Sequence, residues 1–282
     1  MNNSETINNM LFKTNAVRVA PADKPFWYTS GKLGPFYINT HFLSRDEETA
    51  NGILKVIEDS IAEDKTTAPE NIFDALADLY NSSETYKKTI DMLTDKASEY
   101  DCDIISGGER RDFFFSMLPA HFLDKDHLTI YKDLSTAYTD CNMQAKDAPK
   151  TGKVLHIADL ITEASSYERA WIPVIRNLGY TITDTIAVVD RKQNGRKVLT
   201  DLGVKMETLT AIDKELFDYA VNTDHIDNDQ HALVMKFLSD PDMYMKDFLA
   251  DNPNFIAEQI ALGGKAKERA ELAISKGFAS LS

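Results

Sequence analysis

The sequence predicts an α/β fold, a mostly parallel sheet flanked by helices, with a small N-terminal hood region and a helical C-terminal extension. Three observations carry this expectation. Short β-type runs recur at 103–106, 128–131, 153–158, 183–189 and 205–209. Stretches with helical spacing separate several of them, at 110–122, 165–178 and 195–202. Gly179 and Gly203 fall where two of those helices need a left-handed C-terminal cap.

Each element has a local reason. Residues 1–20 read as an N-terminal helix. Residues 25–43 are aromatic and turn-punctuated (Pro25-Phe26-Trp27-Tyr28, Ser30-Gly31-Lys32, Pro35-Phe36-Tyr37-Ile38), which suggests a short hairpin or two edge strands. Residues 47–62 place Ile53, Val56, Ile57 and Ile61 on one helical face. Residues 69–80 repeat the pattern, with Pro69 and Glu70 suited to a first turn. A further helix follows Ser83 and carries Tyr86, Ile90, Leu93 and Ala97. Pro173 should kink the 165–178 helix. Beyond Asp213 the chain turns polar and helical, over 230–250 and 253–277, with Gly263-Gly264 as a break. The expected organisation is one domain over 1–212, with a helical insertion at about 62–98, and a helical extension over 213–282.

Composition narrows the function. The chain has 282 residues, 43% apolar and 27% charged, with a net charge of −14. Such a surface repels nucleic acid and anionic membranes. Cys102 and Cys141 are the only cysteines, too few for a disulfide framework or a cysteine metal site, and a reducing cytoplasm is the simple reading. The N-terminus lacks the pattern of a signal peptide, and the most apolar run, 113–123, is too short to span a bilayer.

The chemistry concentrates at predicted strand exits. The stretch 154–166 reads as a buried strand, the acid Asp159, a short polar turn (Thr162-Glu163-Ala164-Ser165-Ser166) and then a helix. A strand end followed by free N–H groups and a positive helix end makes an anion pocket, and the acid can hold a sugar hydroxyl. Gly107-Gly108 directly follow a strand and could turn their N–H groups inward as an anion nest, with Arg110 and Arg111 adding charge. The exit Asp190-Arg191-Lys192 is basic, and Arg191 could grip a carboxylate with two prongs. Ser30-Gly31-Lys32 with Tyr37 offers an aromatic and polar wall. Taken singly, each has a plainer role: Gly-Gly as a turn, Asp159 as a helix cap, the aromatics as core, His156 as a hydrogen-bonded core residue.

Together these segments resemble the orotate phosphoribosyltransferases of the type I phosphoribosyltransferase fold. The likeness rests on 28–38, on Ile105-Ser106-Gly107-Gly108-Glu109, on 154–166 and on Asp190-Arg191-Lys192-Gln193-Asn194-Gly195-Arg196, within about 26–212. It implies transfer of a 5-phosphoribosyl group from phosphoribosyl pyrophosphate, bound with Mg²⁺, to orotate or a related pyrimidine. It implies a homodimer without nucleic-acid or membrane partners. By that resemblance Thr162, Glu163, Ala164, Ser165 and Ser166 cradle the 5′-phosphate, Asp159 binds a ribose hydroxyl, Gly107 and Gly108 face the pyrophosphate, and Tyr37, Ile38 and Arg191 contact the base. The chain departs from the family in reading Ala158-Asp159 for two adjacent acids and in a 162–166 turn without glycine, so Glu163 must point away from a bound phosphate. Of the family's mobile basic loop only Lys132 has a counterpart within 131–138, and Arg110 and Arg111 could supply the missing charge from the same subunit. Two other functions remain open: a catalytically degenerate homologue that binds a phosphoribosyl ligand or nucleotide as a sensor or partner subunit, and an interaction module using the helical tail.

Overall fold

The structure is a computed structural model that describes residues 3–280. Helix α1 (Asn3–Lys13) leads into four short strands, β1 (Val17–Val19), β2 (Phe26–Trp27), β3 (Leu33–Gly34) and β4 (Phe36–Ile38). A 3₁₀ turn (Thr40–Ser44) precedes α2 (Glu47–Glu63), α3 (Ala68–Ser82) and α4 (Glu84–Ala97). Then come β5 (Ile104–Gly108), α5 (Phe113–Phe122), β6 (Asp126–Ile130), β7 (Thr136–Thr139) and β8 (Lys153–Ile161). A π-helical turn (Tyr167–Trp171) runs into α6 (Ile172–Asn177), followed by β9 (Thr181–Asp190), α7 (Gly195–Asp201) and β10 (Lys205–Ala211). The chain closes with α8 (Lys214–Asn222), α9 (Asn228–Ser239), α10 (Pro241–Asp251), α11 (Phe255–Leu262) and α12 (Gly264–Ser275).

The chain forms two compact units. One holds the residues up to Ala16 together with Asn39–Ile212; the other holds Val17–Ile38 and the residues from Asp213 onward. The expected domain 1–212 is thus corrected at one place: Val17–Ile38 groups with the C-terminal helices. Its apolar partners explain this, because Phe36 packs against Phe217 and Phe237 with ring centroids 5.1 and 5.4 Å apart.

The first unit is built on a six-stranded sheet in the order β10-β9-β8-β5-β6-β7. Every neighbouring pair is parallel except β6 and β7. Strand β7 was missing from the sequence reading, because its run is short and polar. Strands β8 and β9 are buried along most of their length rather than alternately, as a sheet covered on both faces requires. Val154, Ala158 and Ile182 pack under the Tyr167–Trp171 turn, Ile172, Ile175 and Leu199. Helix α5 contributes the fully buried Phe113, Phe114 and Phe115, each worth about 1.5–3 kcal/mol of burial. Helices α2, α3 and α4 pack in sequence, and the buried Tyr86 of α4 donates its hydroxyl to Phe114 O.

The second unit pairs β1 with β4 and β2 with β3, both antiparallel. Trp27 Nε1 donates to Gln259 Oε1 at 2.9 Å, which ties β2 to α11. The continuous helix expected over 230–250 is two helices. Asp240 ends α9 and caps α10 through Met243 N at 2.9 Å, and Pro241 cannot continue a helical ladder. The kink expected at Pro173 is instead a switch from π to α geometry, with the proline in the first turn of α6 where its missing N–H costs nothing.

Candidate functional site

The ladder between β5 and β8 stops early. Its last pair is Ser106 with His156, although β8 continues to Ile161 alongside β9. The two strands separate at their carboxyl ends, where ligands bind in open α/β sheets. Asp112, at the entry to α5, spans the gap. Its Oδ2 accepts the Gly108 N–H at 3.1 Å and its Oδ1 accepts the Asp159 N–H at 3.0 Å. Behind it, His156 Nδ1 lies 2.9 Å from Ser106 Oγ, so this histidine is a hydrogen-bonded core residue.

Above this point opens a cleft of about 810 Å³. Its floor is Ala158–Thr162, one wall is Glu109–Asp112 with Lys132, and the other is Ala164–Tyr167 with Arg169, Ala170 and Trp171; Glu58 of α2 reaches its edge. Of the residues singled out from the sequence, the cleft gathers Asp159, Lys132, Arg110, Arg111, Thr162, Ala164, Ser165 and Ser166.

Alternation along β8 decides what each residue does. Asp159 sits opposite in phase to Ala158 and receives the Thr40 Oγ1–H on its Oδ2 at 2.7 Å. Only 9% of Asp159 is exposed. Burial, reinforced by the neighbouring Asp112 charge, raises its carboxyl to about 7, against the pull of the Thr40 bond and Arg111. Ala158 belongs to the apolar cluster with Ala164, Tyr167 and Trp171.

The turn that follows lacks glycine but keeps a glycine-like conformation: Ala164 has φ +56°. Glu163 is exposed and off the cleft lining, so its charge leaves the pocket, as phosphate binding demands. Among the described residues the hydroxyls of Thr162, Ser165 and Ser166 carry no hydrogen bond, and nothing accepts the N–H groups of Glu163 and Ala164. Free donors of this kind at a helix entry suit an anion.

Other expectations are corrected. Gly107 and Gly108 form no nest, because they complete β5 in register with Thr129 and Ile130 and neither has a positive φ. Packing explains them: a Cβ on Gly107 would lie 2.2 Å from Ser116 Oγ, and one on Gly108 2.3 Å from the Trp171 ring. Arg110 is engaged in an ion pair with Glu58. Arg191 is outside the cleft lining, and its N–H binds Ile161 O at 2.9 Å. Tyr37 and Ile38 belong to β4 of the second unit, opposite Arg18 and Val17. The sequence reading missed Asp112, Thr40, Arg169 and Trp171. The first two gave no local signal, because their bonds to Asp159 span 47 and 119 residues of chain. Arg169 was visible, one helical turn beyond the polar turn.

No protein-family model matches the chain. An orotate phosphoribosyltransferase of Sulfurisphaera tokodaii is 26% identical over 209 residues, 74% of this chain and 87% of that protein. An adenine phosphoribosyltransferase of Butyrivibrio fibrisolvens is 28% identical over 145 residues, 46% of this chain and 80% of that protein. In fold, the UMP synthase of Leishmania donovani superposes with a TM-score of 0.59 at 17% identity, covering 84% of this chain and 42% of that one. An orotate phosphoribosyltransferase of Francisella tularensis gives 0.53 at 13% identity, covering 81% and 95%. The chain is therefore orotate phosphoribosyltransferase-like in sequence and has the type I phosphoribosyltransferase fold.

Proposed function

We propose that this protein transfers a 5-phosphoribosyl group from phosphoribosyl pyrophosphate to orotate or a related pyrimidine. One observation carries the reading: a cleft at the separated ends of β5 and β8 sets Asp159, the free donors of the 162–166 turn and several cations around one space. The turn would hold the sugar phosphate and Asp159 a ribose hydroxyl. Because the reaction builds charge at the sugar and on the leaving pyrophosphate, placement of fixed charges is the main catalytic resource.

Magnesium fits this site only as part of the substrate. No group of three potential metal ligands forms among the described residues. Asp112 already holds two backbone N–H groups, and Asp159 holds Thr40. The ion would arrive on the pyrophosphate, keep its waters, and neutralise the leaving group. No described helix is long and apolar enough to cross a membrane. A cytoplasmic homodimer completes the proposal.

The test is Mg²⁺-dependent release of pyrophosphate from phosphoribosyl pyrophosphate with orotate, uracil and adenine offered as separate acceptors. Release with orotate supports the reading, and release only with adenine reassigns the acceptor. A second reading, a homologue that binds the ligand without transfer, is favoured by the Thr40 bond that occupies Asp159. Binding of ribose 5-phosphate or a nucleoside monophosphate without turnover would select it.

A further inference from the structure

The charged groups on the cleft divide unevenly between spent and free. Every acid is engaged within the chain. Glu58 pairs with Arg110, and Glu109 Oε2 accepts the Lys132 N–H at 2.9 Å. Asp112 holds the Gly108 and Asp159 N–H groups, and Asp159 accepts from Thr40. The cations are the reverse. Among the described residues Arg111, Lys132 and Arg169 make no side-chain hydrogen bond or ion pair, although all three line the cleft. They come from three elements: the β5–α5 connection, the residue pair after β6, and the π-helical turn. Unpaired cations converging on one space from separate elements mark a place for a multiply charged anion.

The hairpin carrying Lys132 is short and pinned. Five residues join β6 to β7. Lys65 Nζ binds Asp133 Oδ2 at 2.5 Å and Ser135 Oγ at 3.1 Å, and the Tyr131 hydroxyl donates to Lys65 O. Lys132 is therefore a fixed member of its own cleft.

We infer that Arg111, Lys132 and Arg169 form a diphosphate clamp supplied by a single chain, and that the Glu58–Arg110 pair withholds a fourth cation from it. The inference rests on the phosphoribosyl reading of the cleft and adds which residues meet the diphosphate. Arg169 is the new member, and Arg110 leaves the set expected from the sequence. The clamp also gives Glu58 a role: its charge sets how strongly the cleft attracts an anion.

The experiment is calorimetric titration of the full chain with inorganic pyrophosphate and Mg²⁺ at two salt concentrations. Circular dichroism checks that each variant is folded. Arg111→Ala and Arg169→Ala are each expected to weaken binding at least tenfold, and Lys132→Ala at least threefold. Glu58→Gln frees Arg110 and is expected to tighten binding at least threefold, a gain that misfolding cannot mimic. Affinity for pyrophosphate unchanged in Arg111→Ala and Arg169→Ala, unchanged in Glu58→Gln, or absent in the intact chain overturns the clamp. The two readings separate cleanly. Loss of pyrophosphate binding in the arginine variants without transfer to any acceptor keeps the clamp and removes the transferase; transfer that survives both arginine variants does the opposite.

Discussion

Asp112 and Asp159 are joined through backbone rather than side chain: Asp112 Oδ1 accepts the Asp159 N–H at 3.0 Å, while the Asp159 carboxylate turns to Thr40. The same Asp112 holds Gly108 N through its other oxygen. Two strands that have lost their mutual ladder are thereby held apart at a fixed width, and that width is the mouth of the cleft.

Asp112→Asn tests this wedge. An amide can accept only one of the two N–H groups, so one buried donor is left unpaired. The expected cost is about 1–3 kcal/mol in urea unfolding. Removing the Asp112 charge also removes one cause of the raised Asp159 carboxyl, so the Asp159 titration followed by carbon NMR should move to lower pH. A titration that does not move would contradict the coupling.

The pH dependence of Asp159 has a definite sign. Its carboxyl is raised to about 7 in the fold, chiefly by burial, against about 3.9 in an unfolded chain. Between these values the folded state keeps a proton that the unfolded state has released. The contribution is complete below pH 4 and is lost as pH rises through 7. Asp159→Asn cannot ionise, so its stability relative to the parent should grow from near zero at pH 4 to about 4 kcal/mol above pH 7. The difference between the two proteins is the quantity to follow. His41 and His127, each lowered to about 3 chiefly by burial, add an opposite trend that is common to both.

Gly108 is a packing glycine. The Cβ of Gly108→Ala would meet the Trp171 ring at 2.3 Å and force the indole to move. A loss of about 1–3 kcal/mol is expected from overpacking, with a change in Trp171 emission. Unaltered stability and emission would restore the anion nest as the reason for this residue.

Ala164 occupies the left-handed region at φ +56° while 4% exposed. Ala164→Gly should fall within about 1 kcal/mol of the parent, since relief of strain offsets the lost methyl. Ala164→Val places a β-branched side chain at the same angle and should cost more than about 2 kcal/mol. Equal thermal midpoints for the two variants would show that the turn is not held in this conformation.

The parallel sheet, the strand that carries Asp159 and the polar turn after it are legible in the residues alone, because they depend on local periodicity and on the order of strand, acid and donor-rich turn. The sequence also carried the resemblance, which lives in short contiguous motifs. Which charges stay free is a matter of packing. Arg110 and Arg111 are adjacent in sequence, yet one forms an ion pair with Glu58 of α2 and the other, among the described residues, forms none. Gly107 and Gly108 read as a nest until Ser116 and Trp171 are seen against them. Thr40 and Asp112 gain their roles from partners far along the chain. Spacing can place a side chain at a strand exit, but whether its charge is spent or available depends on neighbours that the fold brings in from elsewhere.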